Sequence, residues 1–329
     1  MVYRFNRDPV IDNNRTLRVD RMRVGSFSKL GIGSNTTQGF RTGGAPGPAA
    51  AQDTIEKFPF ASDANATDVG DLTVARGDLS STSSGVSVYS AGGKAGSGIT
   101  TDAGKNEIDK FSISSGGNAT DVGDMSTAGS AGAGQQSSSH GYGTGGSQTP
   151  PFTQLDRIDK YSFSSDGNAS DIGNLTVARF RQAGQSSLTN GYTSGGGTLP
   201  PYTVRNEIDK FPFSSDTNAT DVGDLVTSAE GADGQSSGEN GYSSGGWGPS
   251  SLNVIQKFPF SADAGSTDVG DLTVARPNVG GGSSSDNNGY TLGGNNTNII
   301  DKFPFSSDTS ASDVGDLTTT TRDGGGSQG

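Results

Sequence analysis

The chain has 329 residues, 53 of them Gly and 13 Pro, with no Cys, one His, one Trp and a net charge of −12. Leu, Ile, Val and Phe together make up about 18% of it, below the roughly 20% expected of a chain that fills one ordinary globular core. This excludes a large α/β enzyme around a single deep core, and the lack of Cys excludes disulfide scaffolds, zinc ribbons, iron–sulfur centres and thiol catalysis. No run of 18 apolar residues occurs, so no membrane insertion is expected. Met1–Pro9 has no apolar stretch of secretory-leader length, which gives the expectation of synthesis in a cytoplasm. The acidic balance repels phosphates and disfavours nucleic acid as a partner.

In chain order, residues 1–25 stand apart. They hold six Arg (Arg4, Arg7, Arg15, Arg18, Arg21 and Arg23) against three Asp, a net of +3 in a chain of −12. Thr16–Val24 alternates as a strand would. Residues 1–27 are therefore expected to form an Arg-rich arm. The arm is read as an anchor that adds to a partner subunit through acidic surfaces, or else as a closure strand.

From residue 28 to 329 the chain repeats itself. Ile55-Glu-Lys-Phe-Pro-Phe60 recurs in versions starting at Ile108, Ile158, Ile208, Ile255 and Ile300, at spacings of 53, 50, 50, 47 and 45 residues. A second phrase, Gly-Tyr-x-x-Gly-Gly, ends at Gly146, Gly196 and Gly246, with relatives ending at Gly44, Gly93 and Gly294. A third, Asp-Val-Gly-Asp-Leu, starts at Asp68, Asp221, Asp268 and Asp313, with variants at Asp121 and Asp171. Self-similarity at this period is the mark of a repeat architecture.

Each unit reads as four short strands, shown here for the fourth: Gln185–Leu188, Gly191–Ser194, Ile208–Phe213, and Val222 through Val226. Phe211 and Phe213 lie two apart, so both project from one strand face and can pack on a neighbouring unit. Pro212 between them cannot donate a ladder bond, which predicts a bulge or strand end. Asp221–Asp224 supplies turn chemistry. No segment has a helical apolar period, so the fold class is all-β: a six-bladed β-propeller of four-stranded blades. The C-terminal Gly324–Gly329 resembles another first strand, and ring closure is expected to pair the two ends.

The order Arg, Gly-Tyr-x-x-Gly-Gly, Ile-Asp-Lys-Phe, then a turn and Gly-Asp-Leu-x-x-Ala-Arg resembles the kelch-type propeller repeat over roughly residues 30–329. It departs from that pattern at Ala66-Thr67 and its equivalents, where kelch blades carry a Trp after the third strand. The wording Ile-Asp-Lys-Phe-Pro-Phe-Ser-Ser-Asp…Asp-Val-Gly-Asp-Leu-Thr-Val-Ala-Arg also resembles repeats in virion proteins of marine tailed phages. That resemblance implies a tail- or fibre-associated virion component that docks on other virion structural proteins and contacts a host surface glycan. A carbohydrate-binding or adhesive propeller of a cell surface is the alternative.

Alternating strands send the loops after strands two and four to one face and those after strands one and three to the other. The loop after the double Gly varies in length and carries Phe152, Tyr202 and Trp247 in blades three, four and five. Variable loops on a rigid scaffold are where recognition concentrates, so these rings are the candidate partner- or glycan-binding residues, with packing on the blade edges as the competing role. The loop after strand three is nearly uniform. Its Asp63, Asn65 and Asp68 place oxygens at part of a calcium-loop spacing, with an Asx turn as the main reading and no cofactor otherwise expected. Asn65, Asn118 and Asn218 match glycosylation acceptors and are read as turns. An enzyme is not expected: His140 stands where other copies carry Asn190 and Asn240, which marks a turn position.

Overall fold

The computed structural model describes residues 37–46, 51–95, 103–130, 132–148, 151–295 and 297–328. The described residues form no helix; they build six four-stranded antiparallel sheets and two short two-stranded hairpins. In the fourth sheet the strands run from the axis outward as Ala183–Ser186, Asn190–Ser194, Glu207–Pro212 and Thr220–Asp224. Ala183 pairs with Ser194, Ser194 with Ile208, and Asp209 with Asp221. The six first strands meet around a central axis, so the sheets are blades of a propeller. Closure is made by the C-terminus: Gly325–Gln328 is the innermost strand of blade one, with Gly325 opposite Thr42 and Gln328 opposite Gly39.

Two sequence readings shift in register. The first strand ends at Ser186 because Ser187 turns the chain, its N–H donating to the Asn190 carbonyl and its hydroxyl accepting from Thr189 and Asn190. Leu188 is left exposed in that turn. The expected turn at Asp221–Asp224 is instead the fourth strand itself, with the Asx-type bond from Gly223 N–H to Asp221 made inside it. Strand three does stop at Pro212, as a residue without an N–H requires.

The apolar core is six thin layers, one at each blade boundary. Tyr192 of blade four stacks on Phe260 of blade five at 4.8 Å and tilts over Phe258 at 5.6 Å. Tyr89, Tyr142, Tyr242 and Tyr290 make the same stack on Phe163, Phe213, Phe305 and Phe60. The boundary between blades one and two differs, with Phe40 and Ile113 in those places. Several axial positions admit no side chain: a Cβ on Gly184 would overlap the carbonyl of Gly134, and one on Gly234 that of Gly184.

A polar clamp accompanies every layer. The residue after Ile in strand three is fully buried, and its side chain holds the end of the preceding blade's fourth strand. Asp209 accepts the Thr176 N–H at 2.9 Å and its hydroxyl at 2.6 Å. Asp109, Asp159, Asp301 and Glu56 do the same for Thr73, Ser126, Thr273 and Thr318, and Gln256 accepts the Thr227 N–H and donates its Nε2 to the Thr227 carbonyl. Where the preceding linker carries Arg, that Arg is buried on the acid: Arg76 on Asp109, Arg179 on Asp209 and Arg276 on Asp301, at 3.2, 3.2 and 2.9 Å. Where Thr321 and Gly129 replace it, Arg41 reaches Glu56 at 2.7 Å from strand two and Arg157 reaches Asp159 at 3.3 Å from the same strand three. Where Ala229 replaces it, the acid is the neutral Gln256. Each boundary is charge-balanced.

An ion pair stripped of one member in the interior costs about 3–5 kcal/mol, whereas a neutral replacement of both costs far less. Arg179→Ala should therefore lower the urea midpoint sharply. The double variant Arg179→Ala/Asp209→Gln, which copies the Ala229–Gln256 boundary, should recover most of the loss. A double variant no more stable than the single would refute charge balance as the rule.

Candidate binding face

The double Gly ends strand two because both residues take φ values that L side chains resist, 65° at Gly195 and 103° at Gly196. The chain then turns outward over the linker from the preceding blade. The next residue bridges that linker by paired backbone bonds: Ala45 with Arg322, Lys94 with Gly77, Ser147 with Ser130, Gly197 with Phe180 and Trp247 with Glu230. One residue further along the linker, at the mouth of the axis, Asp78, Arg181, Gly231, Asn278 and Asp323 all sit at φ between 50° and 59°. Four of these five are not Gly, and such a conformation is uncommon for them. The bridged pairs differ in type in every blade and the mouth residues in most, while the clamps and stacks beneath them hardly change.

The three candidate rings lie on this face, on successive loops. Two are raised by short hairpins, Ser147–Gln148 with Thr153–Gln154 and Gly197–Thr198 with Thr203–Val204. Phe152 is half-buried, edge-on to the buried Phe180 at 5.8 Å. Tyr202 is 49% exposed and Trp247 38%. The loops are tied together. Gln154 and Leu199 exchange hydrogen bonds, Tyr202 lies against the Glu230 carboxylate, and Glu230 is bridged to Trp247. Burial and the neighbouring Glu230 push the Tyr202 hydroxyl pKa up; burial likewise raises that of Glu230.

Charges close the mouth. Arg181 of blade four reaches Asp78 and Asp323, on the linkers that lead into blades two and one, at 3.9 Å each, and Lys94 pairs with Asp78 from outside. Burial pushes the Asp78 carboxyl up, but Lys94, Arg181 and Arg322 outweigh it and hold the pKa low. Asp323 is pushed up to about 7 by burial and by the charge of Asp78. Below them Asp233 faces the axis and is pushed up to about 8 by burial, against the Gly281 N–H and Arg276. The cavity under the mouth measures about 70 Å³, too little for a sugar ring.

The opposite face spends its polar groups on the fold. Asp63 pairs with Lys302 at 2.5 Å, Asn65 accepts the Asp316 N–H at 3.0 Å, and Asp68 accepts the Gly70 N–H at 3.1 Å. The three oxygens of the calcium spacing thus serve three separate partners. Asn118 and Asn218 likewise cap Asp71 and Asn174 of the preceding blade. His140 opens a second strand, its Nδ1 2.8 Å from the Ser139 hydroxyl, and burial followed by Lys160 lowers its pKa. Among the described residues no group of three or more His, Cys, Asp or Glu is gathered to hold a metal. Arg4, Arg7, Arg15, Arg18, Arg21 and Arg23 lie outside the described residues.

No protein-family model matches the chain, and no curated protein matches it significantly. The fold is a six-bladed β-propeller. The ring of mouth residues escaped the sequence reading. A signal was present, since the residue after each double Gly and the linker residue just before each mouth position differ in every copy, but only the backbone bridges bring those positions together.

A carboxyl whose pKa is higher folded than unfolded binds an extra proton in the fold, so stability falls as pH rises between the two values. For Asp233 that window runs from about 4 to about 8. The unfolding free energy of the wild type, from urea titrations, should fall from pH 5 to pH 8 by on the order of 3 kcal/mol. Asp233→Asn should flatten this dependence and be the more stable form at pH 8. An Asn variant with an unchanged slope would assign the effect to Asp323 or Glu230.

Proposed function

We propose that this propeller is a non-enzymatic attachment module, a tail- or fibre-associated structural component of a phage virion. In this reading it docks on other virion subunits and uses its variable face to contact a host surface glycan or a neighbouring subunit. It would be made in the host cytoplasm and reside in the virion. One observation carries the binding role: the repeat is kept almost unchanged at the clamps, stacks and acidic turns, and it breaks down on one face, where linked loops present exposed aromatic rings. Flat rings on a rigid platform bind sugars and partner loops at low entropic cost.

The virion assignment is supported by the phrase resemblance to repeats of marine tailed phages, and the fold by the kelch-type order of Gly-Tyr-x-x-Gly-Gly and Ile-Asp-Lys-Phe. The non-enzymatic reading is supported by the way the mouth charges are spent on one another and by a small axial cavity. The Arg-rich segment 1–27 is assigned as the anchor, its +3 charge matched to acidic partner surfaces.

Phe152→Ala/Tyr202→Ala/Trp247→Ala should weaken binding to the glycan or partner at least about tenfold, roughly 1.4 kcal/mol, with little change in the thermal transition. Unchanged binding in the folded triple variant would remove the variable face from recognition. For the anchor, deleting residues 1–25 should leave the propeller's transition nearly intact and abolish incorporation into virus particles. Loss of folding would make the segment part of a blade instead. Recovery of the chain only from cell surfaces, never from particles, would favour the adhesive propeller of a cell.

A further inference from the structure

Inside the mouth the six first strands enclose an axial cavity of about 80 Å³. One water needs about 10–15 Å³ by this measure, so the cavity takes several waters or one ion keeping part of its hydration. Its wall is Gly-rich backbone from all six blades, with the side chains of Gln182 and Asp233 among the small residues. Asp233 occupies a position that is Ser80, Ala133, Ala183, Gly281 and Gly325 in the other blades. A carboxylate has thus been set on the axis where every sibling is small and uncharged.

That carboxylate is poorly matched by the protein. Its Oδ2 accepts the Gly281 N–H at 3.0 Å, and among the described residues no donor reaches Oδ1. Gln182, 5% exposed, gives its Nε2 to the Thr144 carbonyl at 2.7 Å and leaves Oε1 without a hydrogen-bond partner. Asp323, 8% exposed, lines the adjoining cavity under the mouth, which shares Gln182 and Asp233 with this one, and its Oδ2 accepts no hydrogen bond. Among the described residues no Lys or Arg lines the axial cavity, and Arg181, the one cationic side chain lining the adjoining mouth cavity, is engaged by Asp78 and Asp323. What remains is a surplus of oxygen acceptors around a narrow axial space.

We propose that the axial cavity holds one hard cation, bound by the Asp233 carboxylate, the Gln182 amide oxygen and backbone carbonyls of the first strands, beneath the Arg181 brace. All the donors are oxygens, which selects group 1 and group 2 cations over thiolate- or imidazole-seeking metals. Neutral oxygens with few carboxylates, on strands from several blades, suit an adaptable ion such as calcium, sodium or potassium better than magnesium, which demands a tight octahedron. The ion joins strands from separate blades and so locks the ring at its centre. It is independent of what the variable face binds.

The test is thermal unfolding of chelator-treated full-length protein with CaCl2, MgCl2, NaCl or KCl at matched ionic strength. One of these cations should raise the Tm of the wild type by about 3 °C or more, as binding to the folded state alone requires. Asp233→Asn should fold and lose that response, and isothermal titration with the active cation should give one site per chain in the wild type. Gln182→Leu, which keeps Asp233, should weaken the titrated affinity by at least about fivefold. No selective shift in the wild type, or an equal shift in Asp233→Asn, would overturn the proposal.

Discussion

The buried side chain that follows Ile in strand three is the contact on which the ring depends. It belongs to one blade and satisfies the chain end of another, so no blade is complete alone. A blade buries only thin aromatic layers on its two faces, and Tyr192 between Phe258 and Phe260 is typical. The clamp adds direction to that layer. Asp209 must lie where it can take both Thr176 donors, which fixes the angle between blades as stacking alone would not. The five buried Arg side chains follow from the clamp, because a carboxylate taken out of water needs a cation and further donors. They are supplied from whichever strand can reach, Arg179 from a linker and Arg41 from a second strand. Geometry at the acid is conserved while the origin of the cation is free.

A ring built this way explains the composition. Six layers of a few aromatics need little aliphatic mass, and several positions on the crowded axis admit only small residues. The acids also serve the rim. Each outer strand presents an open edge, and Asp68 and Asp71, or Asp221 and Asp224, are exposed along it. Charged edges resist pairing with other sheets, so much of the net charge of −12 guards six edges at once. The pairs of Lys110, Lys160, Lys210, Lys257 and Lys302 with the next blade's Asp add a surface fringe worth little energetically. Gly116 occupies the position of the sixth acid in blade two, so Lys57 has no such pair among the described residues.

Much of this was legible in the sequence, because repetition multiplies weak signals. One Phe-Pro-Phe says little, but four copies and two variants at near-constant spacing give the strand, its end at Pro212 and the packing partner. The strand register was less legible. Asp-Val-Gly-Asp has the composition of a turn and is a strand, since its Gly meets the neighbouring blade's backbone where a Cβ would clash. Closure by Gly325–Gln328 could be anticipated only as a pairing of ends. The exchange of Arg179 for Arg41 or Arg157 was hidden altogether, because cations at unrelated sequence positions converge only in three dimensions. The rings at Phe152, Tyr202 and Trp247 were found from loop variability, whereas Glu230, which joins two of them, had no local mark.

The mouth residues invert the logic of the clamps. At the clamps, residue type is kept and backbone conformation is ordinary. At the mouth, backbone conformation is kept and residue type is free. Asp78, Arg181, Asn278 and Asp323 share with Gly231 a left-handed conformation that costs about 1–3 kcal/mol in a non-Gly residue. Glycine would relieve that cost at every one of these positions, and in a chain with 53 Gly it is hardly scarce. Charged and amide side chains held there against their own backbone preference have something to do. Arg181 shows what, since it crosses the mouth to carboxylates on the linkers into blades one and two. The ring thus concentrates its strain, its unlike residues and the charges that cross its axis on one face, the face that also carries the exposed rings, and leaves the opposite face to repetition.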